Sequence, residues 1–443
     1  MRVAQELIVG DPWRLGGYRL AGRLGAGALG VVYEGYDQGG GRVAVTVLHG
    51  HPGAGAPTEA AAARRVASSC TAGVLDADLD GPRPYIVSRY VEGPSLRRAG
   101  RVFGGDDLHG LAAAVATALT ALHDAGVVHR DLTPDNVILG GDGPRVTGFG
   151  MAPGRVTSLT ATGLRTRVPS YTAPEVFTGG AAGPAADVFA WGGIVLYAAT
   201  GEDPFAAGSL GGVMHRILSL DPDLGSLPPL LRPLAAAALA KDPRARPAAR
   251  DLLIALLSGT AAPRAGTGPG TAALPPMGTG PGTASSLGAG SDPGTAALLR
   301  AGTEVAARVR TACDDPGLGA LAESAYAALG PADRERAPAV FLRLVAIAPD
   351  GQPVAREARV PAGSERVLRG FTGLVAHRGD EARLVHQALP YAWPRLGEWI
   401  EADRARLVAR GRLARLRPLL PVALVVLALV LLAAGMILTG WIV

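Results

Sequence analysis

The sequence predicts an α+β protein with a small β-rich lobe and a larger helical lobe, followed by smaller modules. Three observations predict it. In residues 15–258 short alternating segments come first and helical patterns come later, the order expected when one sheet is followed by a helical body. Residues 259–299 are dominated by Gly, Pro, Thr and Ala. From Leu419 to Val443 no residue is charged.

In the first region, Tyr18–Leu24, Val43–Leu48 and Tyr85–Val91 read as strands, being short and rich in β-branched and aromatic residues. Leu108–Ala125, Ala185–Thr200, Leu230–Ala240 and Ala248–Leu257 repeat their apolar residues at helical spacing. In residues 259–299, GTGPGTA occurs at 266–272 and at 278–284, and PGTAAL at 269–274 and 293–298. Such a segment has little apolar surface to offset ordering entropy, so it is expected to be a flexible linker. Residues 300–417 show helical patterns at Ala301–Cys313, Leu318–Leu329 and Arg334–Ala346, then short β-like pieces near Arg356–Val360 and Arg383–His386. Three helices followed by a strand pair fit a winged-helix-like domain.

The final stretch, 419–443, is long enough to span a bilayer as one helix, since about 20 apolar residues suffice. Arg404, Arg406, Arg410, Arg412, Arg415 and Arg417 crowd on its N-terminal side. The positive-inside rule then puts residues 1–417 in the cytoplasm and predicts a single-pass cell-membrane protein with almost nothing outside. The N-terminus, MRVAQELIVGDPW, lacks the apolar run of a signal peptide. Two cysteines, Cys70 and Cys313, make neither a disulfide framework nor a zinc site and suit a reducing compartment.

The 443 residues carry a net charge of +5, and of 43 basic residues a single one, Lys241, is lysine. A phosphate-binding G-x-x-x-x-G-K-[ST] loop is therefore excluded, because Ala240 precedes Lys241 and Asp242 follows it. A bias towards Arg accounts for most of the imbalance. It cannot account for a lysine site filled by something other than Arg.

Gly25-Ala26-Gly27-Ala28-Leu29-Gly30-Val31-Val32 follows one strand and opens into another, matching G-x-G-x-x-G-x-V. His129-Arg130-Asp131-Leu132-Thr133-Pro134-Asp135-Asn136 fits H-R-D-L-x-x-x-N at full spacing. Ala173-Pro174-Glu175 fits A-P-E, Asp187 stands in Asp-Val-Phe-Ala-Trp-Gly, and Arg246 stands in Arg-Ala-Arg-Pro. Together these motifs resemble protein kinases, and residues 15–258 look like an actinobacterial-type serine/threonine kinase domain.

The resemblance implies a two-lobed protein-kinase fold with ATP as its ligand. It implies that Gly25, Gly27 and Gly30 bring backbone amides to phosphate, and that Val32, Ala44 and Val91 border an adenine slot. It makes Asp131 the catalytic base position, Asn136 a magnesium ligand and Glu59 the helix glutamate that pairs with a lysine. Asp187 would prop the catalytic loop from below, and Arg246 would pair with Glu175.

Four positions depart from the pattern. Thr46, in Val43-Ala44-Val45-Thr46, stands where the phosphate-binding lysine is expected, which leaves Glu59 without that partner. Gly148, in Thr147-Gly148-Phe149-Gly150, stands where an aspartate would hold magnesium, and glycine offers no side-chain oxygen. Thr133 replaces the catalytic-loop lysine, and Val168 replaces a threonine ahead of A-P-E. These departures leave ATP open as a ligand and put magnesium in doubt.

In the third region, Leu321-Ala322-Glu323-Ser324-Ala325-Tyr326, Phe341-Leu342-Arg343-Leu344-Val345 and Val385-His386-Gln387-Ala388-Leu389-Pro390-Tyr391-Ala392-Trp393-Pro394-Arg395-Leu396 resemble the segment after the core of bacterial STAND NTPases. The NTPase core itself is absent. His386 and Trp393 read as packing residues. The arginines do not gather on the presumed third helix, Glu365–Val375, which argues against nucleic acid as a partner.

The function expected from these readings is a membrane-anchored pseudokinase that acts as a signalling scaffold for a protein partner, with impaired phosphoryl transfer. The alternatives are a weakly active serine/threonine kinase with an atypical ATP site and, behind it, a membrane-tethered DNA-binding regulator.

Overall fold

The computed structural model describes residues 5–27, 30–50, 56–66, 68–149, 170–259, 293–309, 317–348 and 351–416. The chain packs as two units, one of Met1–Val3, Leu24–Tyr33 and Ala44–Asp315, the other of Ala4–Arg23, Glu34–Val43 and Pro316–Val443. Strands Arg14–Leu15, Tyr18–Ala26, Gly30–Tyr36, Arg42–Leu48, Tyr85–Arg89 and Val74–Asp78 form one sheet in that order.

The first unit is built around the helix Gly105–Asp124. Fourteen of its residues from Leu108 to Leu122 are buried, mostly Ala, Leu and Val, so it is apolar nearly all round, as a central helix must be. Asp106 and Asp107 sit in its first turn, where carboxylates offset the helix dipole. Helix Pro184–Thr200 crosses it, starting with Pro at the first turn and ending at Gly201 with φ 78°. Buried Trp191 joins the two, its Nε1 donating to the Ala112 carbonyl at 2.9 Å.

Helix Pro293–Ala306 begins inside the segment expected to be linker and packs in this same unit, against helices Gly105–Asp124 and Ala249–Ser258. Glycines permit the close approach: a Cβ on Gly302 would lie 2.1 Å from Thr117 Oγ1, and one on Gly110 would lie 2.5 Å from Val309. Arg250 Nη1 donates to Thr295 Oγ1 at 2.5 Å. Cys70 faces Thr303 at 3.9 Å, and burial pushes its thiol up to about 11.

The second unit has helices Leu318–Ala328, Pro331–Phe341 and Glu365–Gly370. Its strands pair as Val345–Ile347 with Pro353–Ala355, and as Ala358–Arg359, Glu381–Leu384 and Val375–Arg378 in that spatial order. Trp393, fully buried, sits among Phe341, Phe371 and Trp399 with ring centroids 5.1–5.4 Å away, and its Nε1 donates to Glu323 at 2.8 Å. The early segments Ala4–Arg23 and Glu34–Val43 belong to this body too. Tyr36 donates to Glu34 at 2.7 Å and accepts the Leu318 amide at 2.8 Å, and His386 Nδ1 lies 3.0 Å from the Ala21 carbonyl.

Arg395 and Trp393 hold the Glu323 carboxyl below its usual range. A depressed carboxyl stabilises the fold above its unfolded pKa and ceases to do so as pH falls through the folded value. Acid unfolding below about pH 4 should therefore be steeper in the native chain than in Glu323→Gln, as far-UV dichroism against pH would show.

One expectation is corrected. Among the described residues no helix is long and apolar enough to cross a membrane, so the fold class stands as two-lobed without the C-terminal transmembrane helix. The segment 419–443 that suggested that helix lies outside the described residues.

Candidate active site

The catalytic loop is held from beneath by one buried carboxylate. Asp187 accepts the amides of His129 and Arg130, each at 2.8 Å, and faces His123 Nε2 at 2.9 Å. It is 1% exposed. Three donors on one ionised group are worth far more buried than in water, which is why this aspartate can fix a loop of irregular backbone. His129 is itself fully buried, its Nε2 2.9 Å from the Thr147 carbonyl and its ring edge-on to Phe149. Asn136 Nδ2 donates to the Asp131 carbonyl at 2.6 Å, closing the loop on itself.

The helical signature that follows is also assembled. Arg246 grips Glu175 with both nitrogens at 2.8 Å, its side chain sealed from solvent. Arg97 bridges Asp135 at 2.9 Å and Asp203 at 2.8 Å, and Tyr171 donates to Asp203 at 2.6 Å. Burial and the neighbouring Asp203 carboxylate push the Tyr171 phenol up. The sequence reading missed Arg97, Asp203 and Tyr171, since none of them lies in a motif with fixed spacing.

Above the loop lies a cleft of about 100 Å³. Leu24, Val32, Ala44, Ile138 and Val91 give it apolar walls, while Thr46, Asn136 and Gly148 lie along it. Of the three loop glycines only Gly30 is demanded by packing: a Cβ there would sit 1.9 Å from the Val47 carbonyl oxygen. Gly25 and Gly27 face open space, so their bareness keeps the backbone approachable without serving the fold.

The residues fit an adenine ring, and position 148 offers no side-chain oxygen to a metal ion. Gly148 has φ 77°, and a Cβ on it would stand 3.5 Å from Asn136 Oδ1, so the ligand position is well placed and empty of oxygen. Thr46 is 9% exposed and neutral, and Thr133 Oγ1 is buried without a hydrogen-bond partner. Val168 lies outside the described residues. No lysine lines the cleft; Lys241 instead donates to the Leu220 carbonyl at 2.7 Å and lies over the Phe205 ring.

Glu59 does have a partner. Arg130 Nη1 and Nη2 reach its two oxygens at 2.7 Å each. The sequence reading had left this glutamate alone because it considered only the missing lysine.

The protein kinase domain model matches residues 18–255, and the chain belongs to that family. It is serine/threonine-protein-kinase-like: it is 40% identical over 262 residues to the probable serine/threonine-protein kinase PkwA of Thermomonospora curvata, covering 57% of this chain and 35% of that one. It is 37% identical over 266 residues to the serine/threonine-protein kinase AfsK of Streptomyces coelicolor, covering 56% and 33%. The chain thus spans about a third of the length of these relatives. A solved structure of Rad53 in complex with AMP-PNP is similar at 21% identity and a TM-score of 0.46, over 53% of this chain and 64% of that one. A second family model, Novel STAND NTPase 1, matches residues 315–417.

Proposed function

We propose that the chain is a pseudokinase, a kinase fold that works as a signalling scaffold for a protein partner with its phosphoryl transfer impaired. The floor of the cleft carries this reading. Phosphoryl transfer depends on positioned charge, and both Thr46 and Gly148 stand where charge is needed. Losing one preorganised electrostatic partner costs about 3–4 kcal/mol. Two such losses lower turnover by several decades, even when their effects overlap. Membership in the kinase family and the apolar slot support an ATP-type nucleotide as the ligand, held by its adenine through Leu24, Val32, Ala44 and Val91. The region 300–417, read as a winged-helix-like domain, is the partner-docking module in this proposal.

Thermal unfolding of the full chain with ATP, with and without magnesium, tests the reading. A ligand that binds only the folded state raises the midpoint. ATP should shift it equally with and without the metal, and a magnesium-dependent shift in the native chain would overturn the proposal. Thr46→Lys with Gly148→Asp should make the shift magnesium-dependent. Aspartate tolerates the left-handed backbone at 148 better than most residues, and the contact with Asn136 is an ordinary one.

The intact catalytic loop favours a second reading, a weak serine/threonine kinase. Radiolabelled ATP with a generic protein substrate separates the two: turnover abolished by Asp131→Asn would establish the kinase.

A further inference from the structure

Glu59 stands on helix Ala56–Arg64, whose position in an intact kinase is fixed by a lysine on the neighbouring sheet. Here the sheet residue is Thr46, and the chain's single lysine is occupied elsewhere. Its replacement comes from the catalytic loop. Arg130, in the catalytic loop, meets both oxygens of Glu59 in a two-pronged pair with 2.7 Å contacts. The arginine side chain is 15% exposed and the glutamate 31%.

Two features make this pair rigid. A guanidinium engages a carboxylate through two parallel bonds, so direction is set as well as distance, which a lysine ammonium cannot do. The backbone that carries Arg130 is also pinned. Its φ of 67° is left-handed, the one such value among the described non-glycine residues, and its amide is tied to buried Asp187. A strained residue held by two carboxylates persists because its surroundings determine it.

We infer that the Arg130–Glu59 fork fastens helix Ala56–Arg64 to the catalytic loop in place of the lysine bridge, so that the helix stays seated whether or not a nucleotide is bound. Arg130 is on this view a positioning residue. The inference rests on Thr46 being no partner for Glu59, and it does not require that the cleft bind ATP.

Amide hydrogen exchange of the full chain, followed by mass spectrometry without nucleotide, tests it. Glu59→Gln should speed exchange in 57–66 by about tenfold while residues 129–136, tied to Asp187, keep their protection. Arg130→Gln should do the same to the helix, and the double variant should go no further than either single one. Thr46→Lys should leave exchange unchanged in the native chain and restore protection in Arg130→Gln, a rescue that a merely structural role for Arg130 would not give. Unchanged exchange in Glu59→Gln, or additive effects in the double variant, would overturn the inference. If Arg130→Gln does not fold, Glu59→Gln decides alone, since it leaves the strained residue in place. Every arm omits nucleotide, so failure of the pseudokinase reading and failure of this one are separable.

Discussion

Asp187→Ala should lower stability by about 3–5 kcal/mol, the cost of breaking one partner out of a buried charged set. It should move the thermal midpoint of the kinase-like unit down by on the order of 10 °C. The reason is the number of groups left behind. Two backbone amides, the buried one of His129 and the part-buried one of Arg130, and the ring of His123 would lose one shared carboxylate. Each orphaned amide costs about 1–3 kcal/mol, because water does not reach the site to replace the bond. Asp187→Asn keeps one acceptor oxygen and should lose roughly half as much. A fall of less than about 1 kcal/mol in Asp187→Ala, measured by urea unfolding, would show that the loop is held by something else.

Gly302→Ala should destabilise the same unit by about 1–3 kcal/mol, although alanine is the better helix former. Propensity favours the change by roughly 1 kcal/mol. Packing opposes it, because the new methyl would lie 2.1 Å from Thr117 Oγ1. That hydroxyl cannot swing aside cheaply, being bonded to the Ala113 carbonyl at 2.7 Å. Thr117→Ala removes the obstruction, so the double variant should recover most of the loss. If Gly302→Ala instead raises the unfolding midpoint, helix Pro293–Ala306 is not packed as described.

Much of the site was legible because kinase motifs fix residue type and spacing together. Asp187 beneath the loop and Arg246 against Glu175 follow from position in the pattern, and the structure joins both pairs of elements. Thr46 and Gly148 were legible as absences on the same ground. The partner of Glu59 was not. Arg130 lies 71 positions away and its side chain is aimed by a left-handed backbone angle that no spacing rule encodes. The start of helix Pro293–Ala306 was hidden for a compositional reason. Its first residues, Pro-Gly-Thr-Ala-Ala-Leu, repeat a stretch of the linker, and only the groove that receives them sets them apart. The transmembrane expectation rested on residues 419–443, which lie outside the described residues, and no described helix is long and apolar enough to cross a membrane.

The fork between Arg130 and Glu59 also bears on how such a chain changes over generations. Once the glutamate is held from the loop, a mutation that restores lysine at 46 meets a carboxylate already neutralised, and gains a buried cation before it gains a function. A second change at 130 would release the glutamate, yet alone it unseats the helix. A return towards catalysis is therefore ordered: lysine at 46 has to come before any change at 130.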